Sequence, residues 1–419
     1  MKYRFRMIVS SLFLITILLL LFSYAMFQGG FVSWFLFFSF LPILLYEAVV
    51  LLYPIRKWQV SRKLSHYITN AGGAVTVKVK IKRRFPFPLY YCIIEDMLAD
   101  SLKKVDNGKE KYQYMRQADQ LFIERRMKRV LFPGFKRTFS FSYQLEQIPR
   151  GVHSFPKVRI RTGDFFGLVK KDHIYAVNDS LVASPIARPF LLEEQIRNQQ
   201  EGNVLSSSLR LNNVNLATGI REYLPGDRVS WIDWKQTARK NTMMTKEFEQ
   251  ERGTSRIIVL EACNISNPIV FEGMVEVTYA LLTHFKKQSL ESGLLTVGKD
   301  TSFFASIHAQ GDFDRLKEHI TKLQPSKNDM FSMGVQHQWS KLVSGDTLLF
   351  IVGNMEKPFV EMIKKVRQRA KHICILFIRP AQQHAYSTPF VRQLQAFGVD
   401  VFEMTERELM KTPLEVKRI

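Results

Sequence analysis

Between Met7 and Tyr46 the chain carries no charged residue, and this stretch constrains the fold more than any other feature. Gly29-Gly30 divides it in two. The first half, MIVSSLFLITILLLLFSYAMF, is 21 residues long, and at about 1.5 Å per helical residue it matches the roughly 30 Å hydrocarbon core of a bilayer. Phe31 to about Leu52 is a second apolar run, with Pro42 and Glu47 as its irregularities. Glu47 lies close enough to the far end to reach the interface or the neighbouring helix. Two spans with almost no loop form a hairpin that leaves both chain ends on one side. Lys2, Arg4 and Arg6 precede the first span, and Arg56, Lys57, Arg62 and Lys63 follow the second. Basic flanks stay cytoplasmic, so the N-terminus and the chain after the second span are expected in the cytosol. The apolar run is too long for a cleaved signal peptide and lacks a small-residue cleavage site before the second span.

The chain of 419 residues, 46% hydrophobic, has room for two or three domains and at least one sizeable core. Its formal net charge of +22 suits nucleic acid or an anionic membrane surface. The hairpin decides for the membrane. Three scattered cysteines, Cys92, Cys263 and Cys374, lie in apolar surroundings and read as buried thiols without a disulfide framework.

After the hairpin (residues 1–57), residues 58–182 read as a β-rich, sandwich-like domain. Val75 to Arg84 and Thr138 to Ile148 alternate with period two, and turn signals such as Asn107-Gly108, Pro133-Gly134 and Gly167 separate the runs. Within it, ERRMKRVLFPGFKR interleaves Arg and Lys with Phe132 and Phe135. Such a pattern can bind single-stranded nucleic acid, but beside a membrane anchor it is expected to face lipid or solvent, and no nucleic acid partner is expected. Residues 183–220 are linker-like. From residue 255 to 419 short apolar strands alternate with helical patterns, which predicts an α/β doubly wound domain with its sheet covered on both faces. The loops after Ala262, Gly298, Gly353 and Arg379 would then frame the crevice at the strand carboxyl ends. No glycine-rich dinucleotide turn, Walker lysine or zinc-ligand spacing occurs there, so no cofactor and no metal are expected.

Residues 221–254 hold the densest mixture of Arg, Asp, Glu and Trp. Pro225-Gly226 predicts a turn. Ser230 is expected to cap a short helix that Lys240-Asn241 ends, and Met243 to Glu249 to form a strand. Arg221, Tyr223, Asp227, Trp231, Asp233, Trp234, Lys235, Arg239, Glu247 and Glu249 are the candidate structural or interaction residues. In one reading the arginines pair with Asp227, Asp233 and Glu247 and weld two domains together. In another, Trp and Arg form a docking surface for a protein. A third builds a paired-carboxylate hydrolytic site on Asp227 and Asp233. Nothing in the segment supplies an obvious nucleophile, so no catalytic residue is assigned.

The pattern R-x-Y-x-P-G-D-x-x-x-x-I-D-W-K-x-x-A-R, here Arg221, Tyr223, Pro225, Gly226, Asp227, Ile232, Asp233, Trp234, Lys235, Ala238 and Arg239, resembles the signature of the family carrying domain of unknown function 58. Glu247, Phe248 and Glu249 fit its E-x-E ending, and Arg150-Gly151 with Asp164, Phe166, Gly167 and Leu168 fits an upstream pattern. The resemblance implies two membrane spans, a β-rich domain and a C-terminal domain resembling the von Willebrand factor type A fold. It also implies an accessory role in assembling or activating a complex; with the basic flanks, the leading expectation is a non-enzymatic scaffold or adaptor on the cytoplasmic face, the alternatives being a membrane-tethered hydrolase using Asp227 and Asp233 or an anionic-lipid or nucleic-acid binding protein. The scaffold's partners would be membrane lipid and proteins, including a MoxR-type AAA+ ATPase and other membrane proteins. The metal-dependent adhesion site of type A domains uses D-x-S-x-S after the first strand. The corresponding residues are Glu261, Cys263 and Ile265, which predicts a degenerate site.

Overall fold

The computed structural model describes residues 2–191, 217–224, 232–248, 256–305, 307, 309–326, 330–339, 347–368, 370, 372–381 and 384–418. The chain forms two compact units, one of Met1–Asp106 with Leu121–Ser184 and the other of Asn107–Gln120 with Pro185–Ile419.

The first unit opens with α1 (Lys2–Gln28) and α2 (Phe31–Leu52). Gly29 takes φ +58°, a left-handed conformation that ends α1 at little cost because glycine has no Cβ. Gly30 then caps α2 from extended backbone, and Pro42 lies inside that helix. Both helices are long and apolar enough to cross a membrane, over Val9–Gln28 and Phe31–Leu52, and only 11% and 17% of their apolar windows are buried. Glu47, expected to reach the interface or the neighbouring helix, is fully buried, with Asp164 of the same unit beside it.

Eight strands follow: β1 (Gln59–Leu64), β2 (Ile68–Asn70), β3 (Val75–Lys82), β4 (Tyr91–Met97), β5 (Met127–Leu131), β6 (Thr138–Leu145), β7 (Gly151–Gly163) and β8 (Lys170–Ser184). They make a three-stranded sheet in the order β1-β3-β6 and a five-stranded sheet in the order β2-β8-β7-β4-β5. The alternation in β3 is complete: Val75, Val77, Val79 and Ile81 are buried while the intervening Thr and Lys residues are exposed. These four join Cys92, Ile94, Phe155, Val158 and Ile160 in one core, each large aliphatic side chain stabilising it by about 1.5–3 kcal/mol. Arg62 is buried too. It donates Nε and Nη2 to Asp96 at 3.0 and 2.6 Å and Nη1 to the Phe155 and Val177 carbonyls at 2.8 Å, so the charge is both paired and hydrogen-bonded. Burial pushes the Cys92 thiol up to about 12, as expected of an inert thiol.

The second unit contains β9 (Phe190–Leu191), β10 (Ala217–Glu222), α3 (Trp234–Lys240), β11 (Met244–Phe248), β12 (Arg256–Glu261), α4 (Pro268–Lys287), β13 (Ser292–Val297), β14 (Ser302–Phe304), α5 (Gln310–Lys322), α6 (Phe331–His337), β15 (Thr347–Val352), α7 (Lys357–Arg367), β16 (His372–Ile378), α8 (His384–Ala396), β17 (Asp400–Met404), α9 (Glu406–Met410), β18 (Leu414–Glu415) and β19 (Lys417–Arg418). Seven strands build its main sheet in the order β14-β13-β12-β15-β16-β17-β19. The five central strands pair in parallel, while β14 and β19 run antiparallel at the edges. This is the α/β arrangement that the strand and helix pattern implied, and it is consistent with the von Willebrand factor type A-like fold that the resemblance implied. Every residue of β12, β13 and β15 is buried, as continuous apolar strands between two helical layers must be.

Asn107–Gln120 departs from the sequence reading, which places it in the β-rich domain. It coils into a 3₁₀ turn over Gly108–Tyr114 and belongs to the second unit. The physical reason is a buried polar cluster. Lys111 Nζ and the Tyr112 hydroxyl both donate to the Glu276 carboxylate of α4, the latter at 2.6 Å, and Arg188 Nη1 lies 3.6 Å from the same group. A Cβ on Gly273 would stand 3.3 Å from Tyr112 Cε1 and 3.2 Å from Leu409 Cδ1, so the ring packs where α4 has no side chain.

Candidate functional site

At the carboxyl edge of the central sheet, Glu261 closes β12 and its side chain turns toward the loop after β15. Glu261 Oε2 accepts the backbone N–H of Gly353 at 2.8 Å and of Asn354 at 3.4 Å. Asn354 Nδ2 in turn donates to Glu356 at 2.7 Å. The loop after β12 is held by two backbone bonds to Ser326, from Asn264 N–H to its carbonyl and from its N–H to Ala262 O, each 2.8 Å. Asn264 takes φ 52°, a left-handed conformation that asparagine tolerates better than most residues. Glu261, Asn264, Phe331, Ser332, Asn354 and Glu356 line a crevice of about 140 Å³. A site for a cofactor or drug-sized ligand needs about 300 Å³ or more, so this cavity suits only something small.

Burial raises the Glu261 carboxyl to about 7, against the two backbone N–H groups that favour its charge and with the nearby Glu356 charge adding to the rise. A carboxyl poised there can hold or release one proton near neutrality. The three adhesion-motif positions offer little to a hard divalent cation. One Glu261 oxygen is engaged by backbone N–H groups, the Cys263 thiol is buried, and Ile265 offers no donor atom. Burial also pushes His284 and His319 down, favouring neutral imidazole, and His319 Nε2 lies 2.8 Å from the Thr296 hydroxyl.

The signature segment folds as an antiparallel pair, β10 with β11, in which Arg221 faces Thr245 and Glu222 faces Met244. Helix α3 is carried against this pair. Asp233 N–H donates to Met244 O at 2.9 Å, and Met244 N–H donates to the Thr237 hydroxyl at 3.0 Å. Ile232, Met244 and Thr245 are buried where the helix meets the strands. The helix starts later than Ser230 would place it: Asp233 is the cap, accepting the N–H groups of Lys235 and Gln236 at 3.1 Å each. Asn241, at φ 54°, ends the helix as the Lys240-Asn241 break implies.

This arrangement leaves Trp234 63% exposed, with Lys235 and Arg239 also on the surface and Tyr223 and Arg221 half-buried. Arg221 Nη1 donates to Glu222 O at 3.1 Å. Glu247 pairs through its backbone with Gly219. Asp227, Trp231 and Glu249 lie outside the described residues, as do the Pro225-Gly226 turn and Ser230. Asn354 and Glu356 are site residues that motif reading missed. The strand-end rule pointed to their loop, but no spacing in the sequence ties them to Glu261.

Residues 219–394 match the family described as "Protein of unknown function DUF58". The "Uncharacterized protein YeaD" of Bacillus subtilis (strain 168) is 36% identical over 299 residues, covering 71% of this chain and 71% of the relative. Among solved structures, a CARDB domain from Pyrococcus furiosus, in complex with di-metal ions, aligns with 30% of this chain and 87% of its own at 7% identity and a TM-score of 0.18. Cwp6 from Clostridium difficile aligns with 84% of this chain and 55% of its own at 9% identity and a TM-score of 0.16. Alignments at these scores carry no argument about fold or function.

Proposed function

The chain belongs to the DUF58 family of proteins of unknown function, and from that premise we propose a non-catalytic, membrane-anchored scaffold or adaptor that recruits a protein partner through its signature segment. The observation that carries this reading is the exposed Trp234 beside Lys235 and Arg239, on a helix fixed to a two-stranded support. Trp and Arg concentrate binding energy at protein interfaces, and a rigid support spares the ordering cost of binding. The Asp233 carboxylate caps a helix, a structural task that speaks against its use as half of a hydrolytic pair. Anchoring is supported by two apolar helices whose faces are largely unburied and by the basic residues flanking them. The soluble parts lie in the cytosol. The partner is a MoxR-type AAA+ ATPase, acting with other membrane proteins in the assembly or activation of a complex.

The test places a photo-crosslinking amino acid at Trp234 in the full-length protein in membranes and adds a purified MoxR-type ATPase. An adduct at position 234, absent when the same group stands at Lys78 on the polar face of β3, is the expected result. No adduct at 234 with unchanged ATPase turnover would reject the ATPase as partner. A hydrolytic activity abolished by Asp233→Asn without loss of stability would reject the non-catalytic reading.

A further inference from the structure

Three neighbouring loops of the first unit, at residues 84–90, 132–137 and 164–170, expose aromatic side chains beside the hairpin. Phe132 is 68%, Phe135 71% and Phe165 63% exposed. Phe132 and Phe165 do not stand singly: the Tyr90 ring meets Phe165 at 4.8 Å and Phe132 at 5.9 Å, and Phe165 meets Phe166 at 5.3 Å. A contiguous aromatic patch of this kind on a folded surface marks something that covers it. Between the patch and Pro42, Ile43 and Tyr46 of α2 runs an open groove of about 640 Å³.

The depth of these loops along the hairpin is set by direct contacts. The Tyr46 hydroxyl donates to Pro88 O at 3.0 Å and its ring stacks on Phe87 at 5.6 Å. On α1, Ser10 Oγ donates to Leu168 O at 3.2 Å, and Leu14 packs in one cluster with Val169. All of these helix residues lie inside the apolar spans Val9–Gln28 and Phe31–Leu52. Tyr46 is about 9 Å of helix rise short of the end of α2, so the loops run alongside the spans instead of beginning where they end.

Irregular backbone in a water-poor layer needs its polar groups satisfied from within the protein, and two buried charged side chains do this. Arg83 donates Nη1 to Phe87 O at 2.8 Å, Nη2 to Gly134 O at 2.9 Å and Nε to Lys136 O at 2.9 Å. Asp164 accepts the N–H groups of Leu168 at 3.0 Å and Val169 at 2.8 Å. The exposed charges on the same loops are Arg84, Lys136, Arg137 and Lys170, all positive and suited to anionic headgroups.

We infer that these loops are seated in the lipid leaflet: their aromatic rings and the groove beside α2 hold phospholipid acyl chains, while the flanking cations meet anionic headgroups. The hairpin and the β-sheet unit then share one membrane-embedded surface, and the β-sheet unit is held against the bilayer at a fixed height. The inference rests on the membrane-anchored reading above.

The experiment uses the full chain in vesicles of phosphatidylcholine and phosphatidylglycerol. Single cysteines at Phe132→Cys or Phe166→Cys carry an environment-sensitive fluorophore; Cys92, Cys263 and Cys374 are buried and leave the label to the introduced thiol. Both sites are exposed, so the substitutions remove no core packing. Leu20→Cys in α1 reports the span, and Lys78→Cys reports the surface of β3. Lipids bearing a nitroxide high on the acyl chain are expected to remove most emission at 132 and 166, deep nitroxides to quench 20, and neither to quench 78. Quenching at 20 with none at 132 and 166 overturns the inference while the anchor stands. A blue-shifted, unquenched label at 132 or 166 overturns it in favour of a covering protein, such as a second copy. No quenching at 20 removes the anchor and the inference together.

Discussion

Glu261 is the residue whose chemistry the fold changes most. Burial holds its carboxyl near 7 instead of the ordinary 4.5, so the folded chain binds this proton more tightly than the unfolded chain does. The sign follows: stability from the neutral carboxyl is fully present below the unfolded pKa of 4.5 and is lost as pH rises through about 7. The full rise corresponds to on the order of 3 kcal/mol. Glu261→Gln keeps an oxygen for the Gly353 and Asn354 N–H groups but cannot ionise. Denaturant unfolding of both proteins in detergent should show the wild type losing stability between about pH 5 and pH 8 and the variant losing less. Parallel pH profiles would show that solvent reaches the carboxylate.

Two short elements carry testable consequences. If Asp233 acts as the cap of α3, Asp233→Ala costs about 1 kcal/mol and Asp233→Asn far less. A buried ion pair broken at the same position would cost about 3 to 5 kcal/mol. Unfolding midpoints of the two variants separate the capping role from the welding network, since asparagine restores a cap but not a charge. The second element is Asn107–Gln120, where Glu276 faces Lys111, Tyr112 and Arg188 from α4. Glu276→Gln removes the negative charge that the buried Lys111 and the partly buried Arg188 face. The expected cost is about 3 kcal/mol or more, with faster proteolytic cleavage between residues 107 and 120. An unchanged cleavage rate would mean that Tyr112 packing over Gly273 holds the segment by itself.

At the scale of the whole molecule the hairpin makes a topological prediction. Lys and Arg flank the apolar run on both sides, and cations are retained on the cytoplasmic side. Single cysteines at Asp300 and Lys411, both exposed, should therefore resist a membrane-impermeant maleimide in sealed cells and react once the cells are opened. Labelling in sealed cells would move the soluble units to the other face and exclude a cytosolic ATPase as partner.

The sequence alone determined the elements whose signal is local. An uncharged run broken by Gly29-Gly30 can hardly be other than two apolar helices. The period of two in Val75–Lys82 buries one face of β3, and the apolar runs of β12, β13 and β15 give the parallel sheet, because periodicity and strand length depend on neighbours along the chain. The helix break at Asn241 and the strand after it were legible for the same reason. Tertiary structure decided what depends on residues far apart. Nothing near Lys111 or Tyr112 in the sequence announces Glu276, 164 residues from Tyr112, and so a segment that reads as part of the β-rich domain folds into the other unit. Asp233 reads as an ion-pair partner or half of a carboxylate pair behind a Ser230 cap; the fold makes Asp233 itself the cap, accepting the N–H groups of Lys235 and Gln236. Glu261 looks like an altered metal ligand, and only its approach to the Gly353 loop shows its oxygen engaged by backbone. The basic and aromatic segment at residues 124–137 could be read as facing lipid, but the position of its neighbouring loops along the hairpin is set by Tyr46 with Pro88 and Ser10 with Leu168, contacts that exist only once the β-rich unit is folded.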